Sequence, residues 1–262
     1  MPNGIIIIDK PAGWTSMDVC AKLRGIFHEK RVGHAGTLDP MATGVLPVFL
    51  GRATRAVEFA EQTGKEYLAG LRLGLVTDTQ DVTGRVLEER PVTCAPAEVE
   101  AALAAFRGEI TQIPPMYSAL KRDGKKLYEL ARAGKEVERA PRPVTIHALE
   151  VVEQTGPNCY TLRVRCSKGT YVRTLCHDIG AALGCGGCMS ALRRTEAAGD
   201  GGRDGPAQGE ERQPVSLLRG RRRLAGVRPR RGIPVAGPVR RGDDEHYQEL
   251  FRGVAVCRQR NV

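Results

Sequence analysis

The chain has 262 residues, of which 41% are hydrophobic and 27% charged, a composition that reads as a globular protein of one or two domains. No stretch approaches the roughly 18 consecutive apolar residues of a membrane helix, and the eight cysteines lie scattered in apolar contexts rather than spaced as a disulfide framework, which predicts reduced, cytosolic thiols. The 40 Lys+Arg against 30 Asp+Glu give a formal charge of +10 and a pI near 9.4, which points to a polyanionic partner.

That charge is unevenly placed. Residues 199–262 hold 14 Arg and 8 acids, so they carry +6, and the first 198 residues carry the remaining +4.

In chain order, Ile5-Ile6-Ile7-Ile8 is a β-branched run that predicts a strand buried on both faces. It is too short, and too soon followed by Asp9-Lys10-Pro11, for a signal peptide. Thr15-Ser16-Met17-Asp18 predicts a helix start, with Thr15 as cap and Asp18 in the first turn, running to about Phe27. Next comes a glycine-punctuated loop, Gly33 to Gly44, holding the carboxylate Asp39 with His34 and Thr37 beside it. Val45 to Leu50 predicts a short strand whose Pro47 argues for an edge or irregular position, followed by a helix from about Ala53 to Glu61.

Alternation from Glu66 to Leu75 predicts a strand with Tyr67, Ala69, Leu71, Leu73 and Leu75 on one face, and places Tyr67 near its edge. Asp78 to Gly84 is turn chemistry. Pro96 to Arg107 predicts a helix with Val99, Leu103 and Phe106 on one stripe, stopped by Gly108. Gln112 to Ser118 is too proline-rich for regular structure. A basic excursion with Lys121, Arg122, Lys125, Lys126, Arg132, Lys135 and Arg139 follows, containing a short helix near Leu127 to Ala133. Strands are predicted at Val144 to Val152, Tyr160 to Ser167 and Ala191 to Thr195, with a helix from the Gly169–Arg173 block to about Leu183. Beyond about Ala198 there is no lysine, whereas the first 198 residues have nine, and no sustained period of 2 or 3.6. Two readings stand for that Arg-rich segment, a disordered basic tail or a translated frame shift.

Taken alone, an acid in a Gly-rich loop is a nucleophile, a base, a metal ligand or a turn-former. The blocks Asp9-Lys10-Pro11-Ala12-Gly13-Trp14-Thr15-Ser16, Gly33 to Pro47 continuing to Gly51-Arg52-Ala53-Thr54, Lys65-Glu66-Tyr67, Pro114-Pro115-Met116-Tyr117-Ser118-Ala119-Leu120-Lys121, Lys168-Gly169-Thr170-Tyr171-Val172-Arg173 and Leu192-Arg193-Arg194-Thr195 resemble, in order and spacing, those of the TruB-type tRNA pseudouridine synthases, bacterial branch. The resemblance runs from about Gly4 to Thr195.

It implies a mixed α/β (α+β) catalytic domain over residues 1–198, with a curved, mainly antiparallel sheet flanked by helices and a basic RNA-gripping insertion at about 118–140. It also implies isomerisation of uridine 55 in the tRNA T-loop after base flipping, without a cofactor. By resemblance Asp39 is the essential carboxylate, Arg173 its partner, and Tyr67 the stacking aromatic. Tyr171 and Leu192 form the facing pocket wall, His34 fills the space the flipped nucleotide leaves, and Lys10 and Pro11 support the loop. Asp78 matches a polar position whose role the residues do not reveal. Cys185-Gly186-Gly187-Cys188 is the one metal-like pattern, and without two further ligands at convincing spacing no metal is expected. No membrane or protein partner is implied, and a cytoplasmic monomer acting on tRNA is expected. A reading from another class is a tRNA-binding or tRNA-folding module whose catalysis is lost or secondary.

Overall fold

A computed structural model describes residues 2–197 and the short strand Ala255–Cys257; the Arg-rich segment from residue 199 otherwise lies outside the described residues. The chain opens with strand β1 (Gly4–Lys10) and helix α1 (Ser16–Phe27), then β2 (Val32–His34) and β3 (Thr43–Leu50). A 3-10 turn (Gly51–Ala56) runs into the short helix α2 (Val57–Glu61), followed by β4 (Lys65–Leu73), the two-stranded pair β5 (Leu75–Thr77) and β6 (Val86–Glu89), and α3 (Pro96–Leu103). Next come β7 (Gly108–Gln112), the small hairpin β8 (Lys121–Arg122) and β9 (Lys125–Lys126), and α4 (Leu127–Arg132). The described chain finishes with β10 (Arg142–Gly156), β11 (Cys159–Cys166), α5 (Val172–Ala182), β12 (Gly187–Glu196) and β13 (Ala255–Cys257).

The main sheet has the order β13-β1-β3-β12-β4-β11-β10-β7, with β2 also paired to β3. All its pairings are antiparallel except β3 with β12, which meet in parallel at two residue pairs, Arg193 with Thr43 and Arg194 with Gly44. Two apolar layers cover it. Helix α1 packs Val19, Cys20 and Leu23 against Ile6, Ile8, Leu46, Val48 and Leu50. Helices α3 and α5 pack Val99, Leu103, Leu175 and Ile179 against Ala69, Leu71, Leu162, Val164 and Met189. The catalytic-loop candidate Gly33–Gly44 crosses between the two layers, where β3 meets β12.

The capping expectation at Thr15 holds: its hydroxyl accepts from the Asp18 N–H at 3.1 Å, and the Thr15 N–H donates to the Asp18 carboxylate at 2.8 Å, a reciprocal box that satisfies two otherwise unpaired donors. Other expectations are corrected. Only alternate residues of the isoleucine strand are buried, with Ile6 and Ile8 inside and Ile5 37% exposed, because α1 covers one face alone. Strand β3 is interior, and its Pro47 is tolerated there because the Pro47 carbonyl accepts from Ala35 N–H at 3.0 Å. The proline nitrogen shares that side, in the gap between β2 and β12, so no ladder donor is lost. The expectation for Tyr67 holds, since it lies near the start of β4, paired to Val164 on one side and Arg194 on the other. The helix from Pro96 ends at Leu103 and finishes as a 3-10 turn to Phe106.

Candidate active site

A cavity of about 630 Å³ opens beside the Gly33–Gly44 loop. Asp39, Tyr67, Tyr171, Arg173 and Leu192 all line it, although they come from a loop, two strands and a helix that are far apart in sequence.

Asp39 is held by Arg173 through two contacts. Arg173 Nε lies 2.9 Å from Oδ2 and Nη2 3.3 Å from Oδ1, the fork geometry in which a guanidinium binds a carboxylate most firmly. The Arg173 side chain is itself nearly buried, and it also donates to the Tyr117 carbonyl at 2.8 Å and the Thr79 carbonyl at 3.0 Å. A second carboxylate, Asp81, stands 3.7 Å from Arg173 Nη1. Burial pushes the Asp39 carboxyl above its ordinary pKa, the Arg173 guanidinium pulls it back down, and Asp81 adds a further upward push.

The loop is fixed from below by Lys10. Its ammonium is fully buried and donates to the carbonyls of Trp14 at 2.6 Å, Pro11 at 2.9 Å and Pro40 at 3.3 Å. That ties the residue following Asp39 to the end of β1, and it gives the Pro11 position a concrete part as an acceptor. Burial lowers the Lys10 pKa to about 8, against the pull of Asp39. Ser16 adds a second tie, accepting from the Leu38 N–H at 2.9 Å.

Tyr67 is 7% exposed, and its burial raises the phenol pKa to about 12. Tyr171 caps α5, where its backbone exchanges two hydrogen bonds with the Gln112 side chain at 3.0 and 3.2 Å; burial raises its phenol as well. Leu192 belongs to both the core and the cavity wall. His34 is not brought into the cavity. It lies on β2, paired with Val48, and burial lowers its imidazole pKa.

Several cavity residues were not singled out from the sequence. Arg194, fully buried, donates to the carbonyls of Val45 at 2.7 Å and Gly36 at 3.2 Å, which pins β3 and the Asp39 loop to β12. Lys65 donates to Thr63 and Glu61 carbonyls at 3.0 and 3.3 Å and also lines the cavity. Outside the cavity lining, Asp81 is a second acid facing Arg173, and Asp78 accepts from the Arg85 N–H at 2.8 Å within its own turn. Arg194 and Lys65 sit inside quoted sequence blocks, but nothing in their spacing marks them as buried. Asp81 carries no signal that separates it from the other polar residues of its turn.

The basic excursion folds as the β8–β9 hairpin, turning at Asp123 and Gly124, both with positive φ, and then α4. Lys126 and Arg132 each stand 5.4 Å from the Tyr128 ring centre, a cation–π pairing that stiffens the short helix. Tyr117, Ser118, Ala119 and Leu120, which lead into it, form the cavity's near wall. Cys185 and Cys188 are buried, and burial raises the Cys188 thiol to about 11. Among the described residues, no cluster of three or more His, Cys, Asp or Glu is placed to hold a metal ion, and no helix is long and apolar enough to cross a membrane.

The cavity thus brings a carboxylate gripped by a nearly buried arginine together with two tyrosines and a leucine. The profile described as "TruB family pseudouridylate synthase (N terminal domain)" matches residues 24–172, and "tRNA pseudouridylate synthase B C-terminal domain" matches residues 173–200. The chain is 52% identical over 197 residues to tRNA pseudouridine synthase B of Ralstonia pickettii (strain 12J), covering 74% of this chain and 62% of that protein. It is 53% identical over 198 residues to the protein of the same name from Azoarcus sp. (strain BH72), covering 76% and 65%. It thus spans a little under two thirds of the length of these relatives. Among solved structures, a Cbf5–Nop10–Gar1 complex matches with a TM-score of 0.58 and 36% identity, over 75% of this chain and 50% of that one. An H/ACA RNP bound to a substrate RNA containing 2′-deoxyuridine matches with a TM-score of 0.55 and 33% identity, over 74% and 47%. The chain belongs to the TruB family of pseudouridylate synthases.

Proposed function

We propose that this chain converts uridine to pseudouridine at position 55 in the T-loop of tRNA, working in the cytoplasm as a monomer and without a cofactor. The observation that carries the reading is the two-point contact of Arg173 with Asp39 in a cavity whose other walls are Tyr67, Tyr171 and Leu192. The target base leaves its stack at a cost of a few kcal/mol. Stacking on Tyr67 recovers about 1–3 kcal/mol of that cost, while Tyr171 and Leu192 close the opposite side.

Asp39 is then the reacting carboxylate. Attack on the base, attack on the sugar and removal of a sugar proton all require it ionised, and Arg173 favours that form against the burial that opposes it. Lys10, through the Pro40 and Pro11 carbonyls, keeps the carboxylate at a fixed depth. His34, outside the cavity wall, occupies the gap left in the T-loop, and the β8–β9 hairpin with α4 grips the tRNA elbow through phosphate contacts.

The test is tritium release from tRNA carrying 5-tritiated uridine. The intact chain should release tritium, and Asp39→Asn should abolish release while tRNA binding persists. An intact chain that binds tRNA and releases nothing would instead identify a tRNA-binding or tRNA-folding module.

A further inference from the structure

The turn from Thr77 to Gly84 is stitched to β12, with Met189 N–H donating to the Gln80 carbonyl at 3.0 Å and Val82 N–H donating to the Met189 carbonyl at 2.9 Å. At its apex Gln80 adopts φ +64°, the left-handed region that side-chain-bearing residues rarely occupy. Its side chain reaches across to α5, where Gln80 Oε1 accepts from the Thr174 hydroxyl at 2.7 Å. Thr174 is 2% exposed and directly follows Arg173. Thr79, directly before Gln80, presents the carbonyl that accepts from Arg173 Nη1 at 3.0 Å. Two neighbouring residues of the turn therefore hold two neighbouring residues of the helix by parallel hydrogen bonds. Neither Gln80 nor Thr174 lines the cavity.

We propose that the Gln80–Thr174 hydrogen bond positions Arg173: it sets the distance between the turn and the first turn of α5, so that the Thr79 carbonyl aims the guanidinium at Asp39. Arginine has a long, flexible stem, and its orientation is set by the acceptors around it. Of those acceptors, the Thr79 carbonyl sits on the segment that Gln80 anchors. The left-handed backbone at Gln80 is then the consequence of placing the side chain toward α5. Gln80 and Thr174 are positioning residues, and the proposal rests on the reading of Asp39 and Arg173 as the reacting pair.

Three variants test it: Thr174→Val, which keeps the β-branched shape and removes the hydroxyl; Thr174→Ser, which restores the hydroxyl; and Gln80→Gly, which removes the side chain and relieves the backbone. Thr174→Val and Gln80→Gly should each lower kcat about tenfold with little change in KM for tRNA, the scale of one misaligned catalytic contact. Thr174→Ser should retain the parent kcat. The Gln80→Gly/Thr174→Val double variant should be no slower than either single one, because both remove the same bond. Gln80→Gly should melt no lower than the parent, a combination a merely structural role would not give.

A second readout does not need turnover. The Asp39 carboxyl, whose charged neighbours are Arg173, Asp81 and Lys10, should titrate at higher pH by carbon NMR in Thr174→Val and Gln80→Gly, and as in the parent in Thr174→Ser. Parent-like kcat in both disrupted variants, losses that multiply in the double variant, or an unmoved Asp39 titration would overturn the inference. A parent chain that releases no tritium would overturn the pseudouridine synthase reading instead, and the NMR titration would still decide the positioning role.

Discussion

Arg173 Nε and Asp39 Oδ2 meet at 2.9 Å across a sequence separation of 134 residues, and Asp81 waits 3.7 Å from the same guanidinium. One buried cation thus serves two carboxylates, and removing it leaves both uncompensated. Arg173→Met should lower kcat by about a hundredfold or more and destabilise the fold by about 3–5 kcal/mol. It should also move the acid limb of the kcat/KM profile to higher pH, because the main influence holding the Asp39 carboxyl down is lost. Steady-state kinetics across pH and denaturant melts would check both parts; an unmoved acid limb would mean that Arg173 does not set the Asp39 charge state.

The raised Asp39 carboxyl makes a signed statement about stability. An acid whose folded-state pKa lies above its unfolded value contributes stability below the unfolded value and loses it as pH rises through the folded one. The parent should therefore gain on Asp39→Asn as pH is lowered from neutrality to below the ordinary carboxylate value of 3.8. Paired melting curves over that window measure it. The opposite trend would show that the Arg173 attraction outweighs burial.

Lys10 gives the complementary case. Its pKa is depressed from 10.5 to about 8, so the stability it contributes is present above 10.5 and lost as pH falls through about 8. Relative to Lys10→Met, the parent should become more stable between those two values, by up to about 3 kcal/mol. Near neutrality the variant should lose turnover, since the Pro40 carbonyl beside Asp39 keeps the Gly13 N–H but loses its tie to the end of β1. A pH-independent stability difference would place the Lys10 ammonium in contact with solvent.

Gly44 sits where β3 and β12 meet in parallel. A Cβ there would lie 2.1 Å from the Arg194 carbonyl oxygen and 2.8 Å from its nitrogen, at a φ of +102°. Backbone atoms cannot swing aside as a side chain can, so Gly44→Ala should cost about 3 kcal/mol or more, a fall of roughly 6–12 °C in melting temperature for a chain of this size. An unchanged melting temperature would mean that the two halves of the sheet are not joined at this point.

Tyr67→Leu should slow turnover by about 5- to 160-fold, the kinetic equivalent of losing one base–aromatic stack, with a smaller effect on tRNA affinity. Equal losses in the two would argue against a stacking role and favour a purely structural one, since Tyr67 is also part of the core.

Much of the fold was legible because its signals are local. The Thr15–Asp18 cap, the alternation through β4 and the apolar stripe of α3 each depend on residues within a turn or two of one another. Pro47 and Ile5–Ile8 misled for the same reason: whether a strand is interior, or covered on one face, depends on neighbours the local sequence does not contain.

The site divides in the same way. That Asp39 stands in a glycine-rich loop is written in residue identity and spacing, and the resemblance of the blocks to those of the TruB-type synthases named the residues expected to accompany it. Only the tertiary structure decided that Arg194 bolts the loop to β12, that Asp81 faces Arg173, and that His34 stands outside the cavity. Burial, charge compensation and hydrogen-bond reach are properties of the space between elements, and a linear order of residues does not carry distance.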